Sequence, residues 1–388
     1  MFPGHTSTQW TWVVNAWVVG GMASASSVGV FAVGRAIAGL ASGTATSMAN
    51  GYISEIAPPH LRNTLGVGYQ ISIAISCLLL SMLFFVADTA TGWRVIASFP
   101  ALFALCFAAT APHFMVESPA WLLTKGRQQD AEDEIARLFG RENVVLALSW
   151  MQQSHNSSDP AANKPTLVEA ETKLATPRVS PWKIMVSATY RRQTILAASM
   201  ALALQFSGIN AVYFYSSALF KDAGLSDDRV GILIVNVVNL VPSVGSGLLA
   251  ARFGNRKMLL WGQLFMLACA VGLTVVLLLD VQALSIVFVS LYVAGFGVSL
   301  GPLAFIVASE VFPDELRASG GSMTLFTNWC GTLVIGVGYP YVADALKDFG
   351  FVPFILTIAF FTSFMFKCLP ETSGKTTDEI QAMFRAKQ

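Results

Sequence analysis

Runs free of Asp, Glu, Lys and Arg alternate along this chain with short connections that hold most of the charge. Ten of these runs are close to the ~20 residues a helix needs to cross a bilayer. They fall near 10–29, 31–55, 65–86, 95–116, 194–220, 230–251, 258–279, 283–308, 320–342 and 350–368. Only the second has a charge well inside it, Arg35. A chain in hydrocarbon must satisfy its own backbone hydrogen bonds, so each run predicts a helix. The pattern divides the chain into a first membrane half (1–116), a charged loop (117–193), a six-helix second half (194–368) and a tail (369–388). Within the loop, 126–142 (GRQQDAEDEIARLFGRE) predicts an amphipathic helix with Ala131, Ile135, Leu138 and Phe139 on one face. Residues 154–181, rich in Ser, Asn, Pro and Thr, predict a flexible tether.

Composition agrees with the pattern. The 388 residues are 54% hydrophobic and 12% charged, where soluble domains carry about 25% charge. The expectation is an all-α, multi-pass integral membrane protein with the lipid bilayer as its main partner. A net charge of +1 argues against a nucleic-acid partner. Lys and Arg in the connections set orientation. With the long loop inside, 19 basic residues lie on that side and four (Arg94, Lys221, Arg229, Lys347) on the other. The loop and the C-terminus are therefore expected in the cytoplasm, where the Asn156-Ser157-Ser158 sequon would go unused. The first 34 residues lack any charge, so no cationic signal-peptide region opens the chain. Five cysteines in or beside apolar runs read as packing residues. His5, His60, His113 and His155 are isolated. No catalytic, metal-binding or cofactor constellation is implied, and the chain does not read as an enzyme.

One run carries unusual chemistry. Gln205–Ser217 (QFSGINAVYFYSS) places Gln205, Ser207, Asn210, Tyr213 and Tyr215 in the middle of a span. Uncharged polar groups there need a partner or a wet cavity. They predict either a solute path or interhelical hydrogen bonds. On an ideal helix Gln205 and Asn210 stand about 140° apart, so they share a face only if Ser207-Gly208 breaks the helix. Asn236 and Asn239 stand about 60° apart and do share one. Asn239 alone reads as interhelical glue. Gly295, Gly297, Gly301 and Pro302 fall within one span. They predict a broken gating helix or tight small-residue packing.

The chain also repeats itself. SEIAPPHLR at 54–62 returns as SEVFPDELR at 309–317, an offset of 255, and Glu117 in VESPAW returns as Glu371 in LPETSG, an offset of 254. Two boxes at nearly one offset predict two parallel repeats of a helical unit. Each box closes a span on the cytoplasmic side. Glu55 with Arg62 and Glu310 with Arg317, joined by Glu117 and Arg256, are candidate ionic gate residues. The bland alternative is a set of exposed loop ion pairs of little energetic weight.

QFSGINAVYFYSS resembles the seventh-helix signature of the sugar porters in the major facilitator superfamily. Leu204 and Phe214 stand where that family usually has Gln and Tyr. GRAIAGLASG at 34–43, YISEIAPPHLR at 52–62, Gln70, ESPAWLLTKGR at 117–127, RFGNRK at 252–257, GPLAFIVASEVFP at 301–313, NW at 328–329 and PETSGKT at 370–376 are similar to the family's landmarks, in order. The resemblance implies a two-half helical bundle that moves a small neutral sugar by alternating access, either facilitative or proton-coupled. It implies hexose contacts at Gln70, Gln205, Asn210, Asn236, Asn328 and Trp329. Phe305 stands where many members have Trp, and Gly297 where some have Glu. Gly208, Gly297, Gly301 and Pro302 would be the hinges. The implied location is the plasma membrane, with a vacuolar or other organelle membrane as the alternative.

The chain also departs from the family. Residues 9–29 resemble the second helix and lead straight into a likeness of the fourth, so about ten spans stand where the family has twelve. Orientation then requires 9–29 to run opposite to the second helix or fail to span, and the 255-residue repeat, which carries it onto 264–284, predicts that it fills the third-helix slot. Asn50, Ala120, Ala251 and Asn255 replace residues usual in the landmarks. With the first-half basic loop missing, Glu55 and Glu117 would lack their usual cation, and cytoplasmic closure would be weaker. The first helix, which carries the acid of proton-coupled relatives, has no counterpart, which leaves coupling open. The alternative reading is a sugar sensor or a non-transporting shortened product.

Overall fold

The computed structural model describes residues 28–149, 189–213 and 228–385, apart from 59–60, 88, 90–91, 280 and 376. The expected span at 10–29, the tether at 154–181 and the end of the run at 194–220 lie almost wholly outside these residues. Among the described residues the regular structure is helical. The main helices are α1 (Val28–Ile56), α2 (Arg62–Val86), α3 (Gly92–Phe114), α4 (Pro119–Thr124), α5 (Gln128–Phe139), α6 (Arg191–Phe206), α7 (Asp228–Phe253), α8 (Asn255–Leu278), α9 (Gln282–Val298), α10 (Leu300–Glu310), α11 (Asp314–Leu346), α12 (Val352–Cys368) and α13 (Thr377–Arg385). Each apolar run from 31–55 onward has a helix on it. Among the described residues, six stretches are long and apolar enough to cross a membrane: Thr64–Val86, Arg94–Phe114, Arg191–Tyr213, Arg229–Phe253, Asn255–Leu278 and Leu284–Glu310. α12 is apolar but shorter.

The chain forms two compact units, Met1–Arg62 with Met82–Ala175, and Asn63–Ser81 with Thr176–Gln388. In the first unit, Ser118 caps α4 by accepting from Trp121 N at 3.2 Å. The capped turn is tied to α1, because Tyr52 donates to Val116 O at 2.8 Å. The expected amphipathic helix is α5, with Ala131 and Ile135 fully buried and Leu138 and Phe139 partly so.

The second unit holds the larger core. α8 packs on α9 and α12, α7 on α9, and α6 on α11, α10 and α12. Small residues and buried hydroxyls and amides set these crossings, as expected where lipid supplies no hydrophobic drive between helices. A Cβ on Gly297 would stand 2.7 Å from Asn239 O. Ser243 donates across the same crossing to Gly297 O at 3.0 Å. Gln263 of α8 accepts from Thr362 of α12 at 3.0 Å and donates to Met365 Sδ at 2.9 Å. The run at 283–308 is broken at Ser299 (φ −125°, ψ −90°), between α9 and α10. Gly297 lies just before the break, and Gly301 and Pro302 just after it. The helix is thus interrupted, and Gly297 packs closely at the crossing.

The tail is more than an extension. α13 buries Ile380, Gln381 and Phe384. Gln381 donates to Val311 O at 2.9 Å and accepts from Gln193 at 3.1 Å, which docks α13 against the start of α6 and the end of α10.

Candidate functional site

The site is built on a break in the most polar run. α6 ends at Phe206, and the chain resumes helical form over 209–213. Gly208 sits between them with φ +85°, a left-handed conformation that costs other residues about 1–2 kcal/mol. The break re-aims Asn210. Its Nδ2 donates to Gln205 Oε1, although the two would lie on different faces of an unbroken helix. Gln205 Nε2 in turn donates to Asn328 Oδ1 of α11 at 2.7 Å. Asn210, Gln205 and Asn328 thus form one chain of amides running from one helix to another. Gln205 is 4% exposed and Asn328 6%. Gly331 lets α11 come this close, since a Cβ there would stand 3.1 Å from Gln205 Cβ. The sequence analysis did not single out Gly331; its place one turn after Asn328 was the available signal.

Asn236 of α7 is also buried. Its Nδ2 donates to Ser81 Oγ at 2.6 Å and to Ile232 O at 3.1 Å. Its Oδ1 has no hydrogen-bond partner. A buried acceptor left open in a native fold calls for an explanation, such as a bound water or ion. Asn239, three residues on, is also buried beside Gly297, and its Oδ1 likewise has no hydrogen-bond partner. Gln70 of α2 is half-buried. Phe305 packs partly buried against the core of the second unit.

Trp329 adjoins Asn328 in sequence but not on the helix face. It stands about 100° around α11 from Asn328 and is 48% exposed. Asn328 turns inward to Gln205, and Trp329 takes a different face of α11. Adjacency in sequence is not adjacency on a helix.

The gate boxes keep their positions but not the expected chemistry. Each ends one helix and opens the next: Glu55 near the end of α1 and Arg62 at the start of α2, Glu310 at the end of α10 and Arg317 in the first turn of α11. Glu55 accepts from Ser118 Oγ at 2.5 Å, a hydroxyl in place of a cation. Glu117 lies 3.9 Å from Arg127, both side chains about half-exposed, so this pair contributes little. Arg127 bonds more closely to Asp130, at 2.6 Å. The side chain of Arg62 lies outside the described residues. Glu310 accepts from Asn255 Nδ2 at 3.2 Å, with Arg317 in electrostatic reach. Asn255 also donates to Thr372 Oγ1 at 3.1 Å. Arg256, expected in an ionic gate, donates instead to Phe366 O at 2.7 Å. It finds a carbonyl because the last turn of α12 leaves such groups unpaired.

Glu371 is the better-held acid at this end. Its Oε1 accepts from the backbone N–H groups of Arg256, Thr372 and Ser373 at 3.1–3.3 Å. The first of these belongs to the N-terminal turn of α8, where a negative charge is favoured. Gly254 (φ +91°) admits it, since a Cβ there would stand 2.5 Å from Glu371 Oε2. Glu371→Ala is expected to lower the thermal midpoint of the purified protein, since charge-assisted hydrogen bonds carry about 1.5–3 kcal/mol each. An unchanged midpoint by differential scanning fluorimetry would show that the nest contributes nothing.

Comparison with known proteins agrees with this architecture. Residues 8–384 match the family model described as "Sugar (and other) transporter". The facilitated glucose transporter member 4 of solute carrier family 2 from Mus musculus is 32% identical over 370 residues, covering 93% of this chain and 70% of the relative. Member 1 from Gallus gallus is 28% identical over an alignment of 429 positions. That alignment is longer than the 388-residue chain, so the relative carries stretches with no counterpart here. Among solved structures, the proton:xylose symporter XylE bound to 6-bromo-6-deoxy-D-glucose superposes with a TM-score of 0.77 at 23% identity, over 97% of this chain and 83% of that one. The inward-open XylE from E. coli superposes with a TM-score of 0.71. At this identity the likeness speaks for the fold alone. Family model, curated relatives, apolar helices and shared architecture together make this chain an integral membrane member of the sugar transporter family of the major facilitator superfamily.

Proposed function

We propose that this protein carries a monosaccharide across a membrane by alternating access, using the amides of Gln205, Asn210, Asn328 and Asn236 to bind its hydroxyls. The observation that carries the reading is the buried chain Asn210–Gln205–Asn328. Each amide offers a donor and an acceptor, and so does each sugar hydroxyl. A sugar can therefore exchange an amide–amide bond for two amide–hydroxyl bonds without leaving a buried polar group unpaired. The open Oδ1 of Asn236 adds an acceptor. Gln70 and Phe305 are assigned to the flanks of the substrate. Glu55, Arg62, Glu117, Arg256, Glu310 and Arg317 are assigned to the cytoplasmic gate, and Gly208, Gly297, Gly301 and Pro302 to its hinges. The named glucose transporters are facilitated carriers, which favours a facilitative mechanism here, with proton coupling as the alternative. The plasma membrane with a cytoplasmic C-terminus is the assigned location.

A second reading is a sugar sensor or a non-transporting shortened product, supported by the stretches inside the member 1 alignment that have no counterpart here. Uptake of labelled hexoses and pentoses in cells lacking their own carriers separates the two, with surface protein measured in parallel. Saturable uptake supports transport. Binding of the same sugars without uptake supports the sensor. Uptake that rises as external pH falls, or that acidifies the cell, assigns proton coupling.

A further inference from the structure

A helix that breaks inside a membrane frees backbone carbonyls, and each freed carbonyl needs a donor. The end of α6 accounts for all of its own. Ala203 O accepts from Ser207 N at 2.9 Å, and Gln205 O from Gly208 N at 3.1 Å. Leu204 O accepts from Ser207 Oγ at 2.7 Å. The last two carbonyls depend on other helices. Phe206 O accepts from Thr357 Oγ1 of α12 at 2.7 Å, and Ser207 O accepts from the Tyr292 hydroxyl of α9. Tyr292 is 1% exposed and Ser207 also 1%, so water is no easy substitute. Thr357 has weaker bonds available within its own helix, at 3.1 Å to Pro353 O and Phe354 O. Its shortest contact nevertheless crosses to α6. The same turn sets Gln205 on one side of the break and Asn210 on the other.

We infer that Tyr292 and Thr357 are positioning residues for the sugar site: their hydroxyls hold the Phe206–Gly208 break open and thereby fix where the Gln205 and Asn210 amides point. The inference rests on the transport reading above. Neither hydroxyl touches the sugar. Without them, Phe206 O and Ser207 O would seek the N–H groups of the next turn, pull the break towards regular helix and swing Asn210 away from Gln205. Two helices outside the amide chain, α9 and α12, would thus set its geometry.

The test uses the full-length protein, by uptake in carrier-deficient cells and by hydrogen exchange of the purified protein in lipid nanodiscs. The variants are Tyr292→Phe, Thr357→Val and Thr357→Ser, all near-isosteric. Tyr292→Phe and Thr357→Val are expected to speed amide exchange across 203–213 by about tenfold while leaving α8 unchanged. They are expected to raise the half-saturating sugar concentration by about tenfold, the scale of one lost buried hydrogen bond. Maximal rate per surface copy should stay within about twofold. Thr357→Ser keeps the hydroxyl and should match wild type. Unchanged exchange in Tyr292→Phe and Thr357→Val overturns the clamp. Faster exchange with unchanged half-saturation overturns the positioning role and leaves a purely structural one. Thr357→Ser behaving as Thr357→Val overturns the part given to that hydroxyl. A wild type that reaches the surface yet neither takes up nor binds sugar overturns the transport reading, and positioning for a sugar falls with it. An active wild type with unaffected variants overturns this inference alone.

Discussion

Gln205→Ala is expected to raise the half-saturating sugar concentration by roughly 30- to 20,000-fold, with the protein still reaching the surface. Gln205 is the middle link of the amide chain, and truncating it removes two hydrogen bonds at once. Asn210 Nδ2 and Asn328 Oδ1 both lose the partner that orients them. Each lost bond to a buried group costs about 1–3 kcal/mol, and about 1.4 kcal/mol is a factor of ten. The end links should matter less. Asn210→Ala leaves Gln205 bonded to Asn328, and Asn328→Ala leaves it bonded to Asn210, so each is expected to cost about tenfold. The double variant Asn210→Ala/Asn328→Ala should be less than additive with Gln205→Ala, because all three share one network. Uptake of the preferred sugar, normalised to surface protein, checks this. If Gln205→Ala keeps half-saturation within twofold of wild type, the amide chain is packing and not a binding site.

Gly208→Ala is expected to destabilise the protein and to disrupt the candidate site. Two separate costs meet there. The first is conformational: φ is +85°, and a side chain in that region costs about 1–2 kcal/mol. The second is steric: the added Cβ would stand 2.6–2.8 Å from the Phe354 ring, and overpacking costs about 1–3 kcal/mol. The ring has little room to yield, since Tyr339 and Phe351 stack on it at 5.1 and 5.9 Å between centroids. Together these predict a loss of about 2–5 kcal/mol and collapse of the Gln205–Asn210 geometry. Phe354→Leu in the same chain should recover the steric part and not the conformational part. Thermal midpoints of the single and double variants provide the measurement. If Gly208→Ala melts with wild type, the left-handed turn is not a feature of the folded protein.

Gly208 also shows what was readable in advance. The sequence placed an amide-rich, glycine-broken run in the middle of a span. It could not say whether the break would bring Asn210 to Gln205, because facing depends on a dihedral that one glycine leaves free. Where Trp329 points was hidden for a related reason. Its motif partner Asn328 was found by resemblance, but the side of α11 that faces α6 is fixed by packing around Gly331. The gate boxes were found from their repetition. Their bonding was not, because Asn255 and Ser118 supply an amide and a hydroxyl where an ion pair was expected. Glu371 was read as half of a repeat, and only the approach of the α8 N-terminus makes it the most firmly bonded acid there.

By itself, the sequence determined the helical, membrane-spanning class, the run boundaries, the repeat and the family. The class, the runs and the repeat follow from local composition and spacing, since hydrocarbon demands long charge-free helices wherever the chain crosses it; the family follows from the likeness of its motifs. Only the tertiary structure decided which amides meet, which carbonyls at the α6 break are capped and by whom, and that the tail helix docks. Those facts depend on side chains far apart in sequence, such as Tyr292 with Ser207 and Gln193 with Gln381, reaching one another across packed helices. No period or motif encodes that meeting.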